Sequence, residues 1–109
     1  MPMKFAVCCL KGRVSPLVKY TREIAVVSVS RRGRPIIKKV PTVSLKPSVL
    51  VDLLKDMNVT LLICGGIKEE WQQILRNNNI AFIENIIGDL NDVVKVYMEG
   101  KLHADVVIS

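Results

Sequence analysis

A chain of 109 residues suffices for one domain with one core and is too short for two. Half of its residues are hydrophobic and only 5% aromatic, so the core is aliphatic, and no apolar run approaches the roughly 18 residues that span a bilayer. The net charge of +6 is unevenly spread: residues 1–46 hold eleven Lys and Arg against Glu23 alone, +10, and residues 47–109 hold five against nine acids, −4.

Met3 to Leu10 reads as a first buried strand, carrying Cys8 and Cys9 near its end. The lead Met1-Pro2-Met3-Lys4 has one basic residue and no small-residue cleavage site after its apolar run, which argues against a signal peptide. Three cysteines, two of them adjacent, make no disulfide framework and fit a reducing cytoplasm. Lys11-Gly12-Arg13 breaks the strand, and Val14 to Tyr20, with Ser15-Pro16, reads equally as loop or element. Arg22 to Ser30 is β-branched and forms a second strand. Arg31-Arg32-Gly33-Arg34 is a tight turn, and Pro35 to Val40 returns as an edge strand whose prolines and lysines discourage further pairing.

Pro47 suits the first turn of a helix, and Val49, Leu50, Leu53, Leu54 and Met57 form its apolar stripe up to Asn58. Val59 to Ile63 is a strand that runs into Cys64-Gly65-Gly66-Ile67, and Trp71, Ile74 and Leu75 then recur at helical spacing. Asn77-Asn78-Asn79 closes that helix, because asparagine tolerates the left-handed conformation. Ile80 to Ile83 is a fifth strand. Gly88-Asp89 opens a last helix with Leu90, Val93, Val94 and Tyr97 on one face and Gly100 past its end. Residues 103–109 form a tail whose position the pattern does not determine.

Crossover rules put the first, fourth and fifth strands parallel and adjacent, with their carboxyl ends on one edge. The glycine turn lies there. Gly65 and Gly66 would let backbone N–H groups approach an anion beside the following helix, or would simply make a tight turn. Ile67 follows them, Gly88 would open a second helix near the same edge, and Lys11 and Arg13 would rim it with positive charge. Cys64 ends the fourth strand, so one of Cys8 or Cys9 shares its face, and thiolates suit Cu(I), Zn or Fe–S centres; buried free cysteine is the plainer alternative. A ribonuclease mechanism is disfavoured, since the first and fourth strands carry no carboxylate to hold metal ions. His103, the only histidine, stands in the tail, which removes any histidine-dependent triad.

From Leu53 onward, the segments Leu53-Leu54-Lys55-Asp56, Val59 to Ile67, Asn79 to Ile83, Gly88 to Val94, Tyr97 and Gly100-Lys101-Leu102 resemble the dinitrogenase iron–molybdenum cofactor biosynthesis family. That family comprises nitrogenase accessory domains of the NifX type and the single-domain orange-protein type, and the resemblance covers roughly residues 3–102. It implies a single domain over 1–102, a three-layer α/β/α fold with a ribonuclease-H-like motif, and a mixed five-stranded sheet of order 3-2-1-4-5 with strand 2 antiparallel. It further implies a non-enzymatic carrier or scaffold for an anionic molybdenum- or iron–sulfur-type cluster, or an oxyanion, with a protein partner in cluster assembly. One departure matters. Family members carry Ser-x-His-Phe-Gly-Arg-Ala after the first strand, and here Leu17 stands where the His would be and Lys19 where the Gly would be. Ligation through that position is impossible in this chain. Two other classes stay open: a small basic nucleic-acid-binding module, for which exposed aromatics are few, and an interaction subunit with a degenerate ligand site.

Overall fold

β1 (Lys4–Leu10) runs through the centre of the sheet, and all of Phe5 to Cys9 is fully buried. Both of its faces are covered, which is why its sequence shows no alternation. The computed structural model describes residues 4–108; Met1, Pro2, Met3 (expected to open the first strand) and Ser109 lie outside the described residues. After β1 come β2 (Arg13–Val14), a single 3-10 turn at Val18–Tyr20, β3 (Glu23–Val29), β4 (Pro35–Pro41), α1 (Pro47–Asp56), β5 (Leu61–Ile63), α2 (Glu69–Asn77), β6 (Ala81–Ile83) and α3 (Leu90–Met98).

The sheet order is β4-β3-β1-β5-β6, with β2 paired to β1 off that path. β3 is antiparallel to both β1 and β4, whereas β5 is parallel to β1 and to β6. The sheet thus has six strands, one more than expected. The extra strand is β2, which folds back on the end of β1 (Cys9 opposite Val14, Leu10 opposite Arg13) through a turn with Lys11 at φ 52° and Gly12 at φ 79°. Two residues carry no periodicity, so no hydrophobic pattern could announce them.

Strand alternation splits the core in two. Ala6, Cys8, Ile24, Val26, Leu62 and Cys64 face α1 and α2, whose Leu50, Leu54, Trp71 and Leu75 cover them. Phe5, Val7, Cys9, Ala25, Val27 and Ile63 face α3, with Leu90, Val93 and Val94. The result is three layers, α/β/α. The Phe5 and Tyr97 rings meet at 4.5 Å between centroids on the α3 side.

Two strands start later than the apolar runs suggest, for one shared reason. Asn58 and Asn79 take left-handed φ values of 58° and 60°. Val59 then donates back to the Leu54 carbonyl (2.8 Å) and Ile80 to that of Leu75 (2.9 Å). These residues close helices instead of opening strands. The tail is part of the packed structure: Ile87 donates to the Val106 carbonyl, Ile108 donates to that of Ile87, and Val106 and Ile108 pack on the α3 side of the core. Among the described residues no helix is long and apolar enough to cross a membrane.

Candidate functional site

The carboxyl ends of β1, β5 and β6 open onto one edge, where three loops meet. Loop Ser15–Leu17 follows β2, the Gly65-Gly66 turn follows β5, and Asn85–Ile87 follows β6. Between them lies an open cleft of about 430 Å³ lined by Arg13, Val14, Pro16, Leu17, Gly65, Gly66, Asn85, Ile86 and Ile87.

The glycines make this meeting sterically feasible. A Cβ on Gly65 would stand 2.2 Å from the Ser15 carbonyl oxygen and 2.7 Å from that of Pro16. One on Gly66 would stand 2.7 Å from the Leu17 Cδ2. Backbone therefore lies directly on backbone: the Gly66 N–H donates to the Pro16 carbonyl (2.8 Å), and Val18 donates to that of Gly66 (2.9 Å). The Gly66 N–H is spent on the fold and is not offered to a ligand. The N–H groups of Leu17 and Gly65 have no acceptor among the described residues. On the other wall Asn85, at φ 58°, donates its side-chain amide to Asp105 (2.9 Å), which ties the cleft to the tail.

The expected charged rim is only partly in place. Arg13 lines the cleft, but its guanidinium donates to the Asp89 carboxylate at 2.7 Å, with both side chains about half exposed. Asp89 is also the residue before α3, and its carboxylate pairs with Arg13 instead of capping the helix. Lys11 sits in the exposed β1–β2 turn and does not line the cleft. Neither does Ile67, whose carbonyl accepts the Gln72 side-chain amide (2.9 Å). Gly88 faces Ile108 and Val93 and accepts the Val14 N–H through its carbonyl, so it seats the tail and β2.

The three thiols are divided by the sheet. Cys8, in β1, and Cys64, just past the end of the neighbouring parallel β5, lie on the α1/α2 face, while Cys9 faces α3. All three are fully buried. Burial pushes the Cys8 thiol up to about 12, only partly offset by the neighbouring Thr21 hydroxyl, and the Cys9 thiol up to about 11. Burial also raises Cys64, with Cys8 and Glu84 adding to the shift. Protonated thiols in a sealed core are poor ligands. Among the described residues no group of three or more His, Cys, Asp or Glu side chains is placed to hold a metal ion. Beside Arg13, Gly65 and Gly66, which were expected there, the cleft is lined by Val14, Pro16, Asn85, Ile86 and Ile87, which were not, and by Leu17, which the sequence marked only as standing where the resembling family has histidine. The topological rule that pointed to the glycine turn points equally to the loop after β6, and Asn85 carried the usual signal for a left-handed turn residue.

No protein-family model matches the chain, and no curated protein matches it. Solved structures do. The protein PH0822 superposes with a TM-score of 0.83 at 20% identity, over 94% of this chain and 95% of that one. A protein of Methanocaldococcus jannaschii provisionally described as a dinitrogenase gives 0.70 at 20% identity, over 94% and 93%. The apo form of the orange protein from Desulfovibrio gigas gives 0.72 at 18% identity, over 90% and 88%. The chain therefore shares its whole fold with a dinitrogenase-type protein and with the orange protein, the same group its sequence resembles.

Proposed function

We propose that this protein is a non-enzymatic carrier of an anionic, sulfur-rich metal cluster of the molybdenum or iron–sulfur type, or of a related oxyanion, held as cargo in the cleft above Gly65-Gly66. The observation that carries the reading is the cleft itself: about 430 Å³, at the carboxyl edge of three parallel strands, in a fold shared with the orange protein. We read the sheet order as the ribonuclease-H-like one of that group. Its walls are mostly apolar, which favours a large, weakly hydrated anion over a small, strongly hydrated one. Free N–H groups on Leu17 and Gly65 and the Arg13 guanidinium supply donors. The buried thiols take no part, so cargo is held without a coordination bond and released without breaking one.

The test is thermal stabilisation by tetrathiomolybdate against molybdate and chloride at equal ionic strength. Ligand that binds only the native state adds about 2.7 kcal/mol at a hundred times its Kd. Tetrathiomolybdate is expected to stabilise saturably and more than molybdate. Leu17→Asp and Ile87→Asp should remove the effect, and Cys64→Ala should retain it. Stabilisation that survives both aspartates, or that vanishes with Cys64→Ala alone, would overturn the cleft as the site.

A further inference from the structure

A second depression opens further along the same loop, lined by Leu10, Lys19, Tyr20, Thr21, Arg22 and Ser44, with a volume of about 410 Å³. It shares no lining residue with the cleft above Gly65. We propose that it binds a phosphate monoester carrying a flat aromatic body, a free mononucleotide being the representative ligand.

Three observations carry this assignment. The first is charge. Neither Lys19 nor Arg22 has a salt-bridge partner among the described residues. Glu23, the sole acid of residues 1–46, belongs by strand alternation to the opposite face, beside Cys9. Two uncompensated cations thus flank one depression, and a guanidinium matches the oxygens of a phosphate bidentately.

The second is the ring. Tyr20 is 54% exposed, and it is the one aromatic side chain among the described residues that is more exposed than buried. The Lys19 ammonium sits 5.1 Å from its centroid, so cation and ring form one unit. The ring face that Lys19 does not cover is the stacking platform for a planar base, and the attached phosphate would lie towards Arg22 and the Lys19 ammonium.

The third is rigidity. Tyr20 donates to the Leu17 carbonyl and Thr21 to that of Val18, each at 3.0 Å. Arg22 donates to the Cys9 carbonyl (3.0 Å) and accepts the Thr42 N–H (2.9 Å), while the Thr42 hydroxyl donates to the Thr21 carbonyl (3.0 Å). The backbone that presents the ring and the guanidinium is pinned to β1 and to the end of β4, so little ordering cost remains for binding. The volume lies within the range of small-molecule sites, and an inorganic ion would leave most of it unfilled.

The experiment is an amide-shift NMR titration with adenosine 5′-monophosphate, ribose 5-phosphate, adenosine and inorganic phosphate. The monophosphate should shift the Tyr20, Arg22 and Ser44 amides saturably and bind at least about tenfold more tightly than the other three, the order of difference that one base–aromatic stack supplies against ribose 5-phosphate and inorganic phosphate and one charge-assisted phosphate contact supplies against adenosine. Arg22→Gln should weaken it by about tenfold, as expected for loss of one charge-assisted contact. Tyr20→Leu should abolish the preference over ribose 5-phosphate. All these side chains are on the surface, and the variant spectra themselves report whether the fold is kept. Equal affinity for inorganic phosphate, shifts centred on Gly65 and Ile87 instead, absence of saturation, or tighter binding of a 5′-phosphorylated ribotetranucleotide would each overturn the proposal.

Discussion

Replacing Gly65 with alanine tests whether the glycine pair is there for backbone packing. Its Cβ would arrive 2.2 Å from the Ser15 carbonyl oxygen and 2.7 and 2.9 Å from Pro16 backbone atoms. None of these can rotate away. Ser15 is held by its N–H to the Cys8 carbonyl (2.8 Å) and by its hydroxyl to that of Leu17 (2.7 Å), and Pro16 accepts the Gly66 N–H (2.8 Å). Retreat of the loop therefore forfeits hydrogen bonds worth about 0.5–1.5 kcal/mol each, on top of an overpacking cost of about 1–3 kcal/mol. We expect a loss of about 3 kcal/mol and a fall in Tm of roughly 12–24 °C, scaled from domains of similar size. At Gly66 the same substitution meets the Leu17 Cδ2 at 2.7 Å, the end of a side chain that is 36% exposed and free to change rotamer, and the Pro16 carbonyl oxygen only at 3.2 Å, a contact relieved by a shift of a few tenths of an ångström. Gly66→Ala should cost about 1 kcal/mol or less. Urea unfolding with unchanged m-values measures both. If Gly65→Ala stays within about 0.5 kcal/mol of the parent, or if the two variants cost the same, the steric account of this turn is wrong.

Cys8, Cys9 and Cys64 should resist aromatic-disulfide labelling in the folded protein at pH 8 and react together on unfolding; a rapid single-thiol phase would contradict their burial. Because burial raises the folded-state thiols from 9.0 to about 12 for Cys8 and about 11 for Cys9, their contribution is fully present below pH 9. Above that pH the unfolded chain ionises first, so stability should decline up to about pH 11–12 by as much as ~1.4 kcal/mol per pH unit per thiol, and a flat profile there would refute the assignment. Asp89→Asn should cost no more than about 1 kcal/mol, since the Arg13 pair is half exposed, yet it should tighten tetrathiomolybdate binding several-fold by releasing the guanidinium; calorimetry at low salt reads both, and weaker binding would place Arg13 outside the site.

The layers of this fold were legible because long apolar runs leave little choice: β1, β3 and the stripes of α2 and α3 stand where the residues put them, whereas in α1 Val49, expected in the stripe, is 48% exposed and Val51 packs into the core beside Leu50 and Leu54. Three other things were not. β2 is too short to carry a pattern. Val59 and Ile80 look like strand residues, but the left-handed asparagine before each hands its N–H to the preceding helix, a local geometry that outranks propensity. The reach of Arg13 to Asp89, 76 positions away, arises from the β2 hairpin and is invisible in either neighbourhood. At the edge, parity alone could say that one of the two adjacent cysteines shares a face with Cys64; only the β1–β5 register identifies it as Cys8.

The position where the resembling family has histidine bears on how this edge can work. Leu17 lies against Gly66 and lines the cleft, and the bridge between these two residues fixes the loop to the end of β5. Restoring a histidine would put an imidazole at the mouth of the cleft, in van der Waals reach of the glycine turn. A ligand that depends on shape, apolar contact and backbone donors should then lose affinity in Leu17→His, because an apolar wall becomes polar. A ligand that depends on coordination should gain it. Comparing tetrathiomolybdate with a labile divalent metal such as Zn²⁺ on the two forms separates these modes: opposite changes support a cleft built for non-covalent cargo, and a parallel gain for both would assign it a coordinating role that its present leucine withholds.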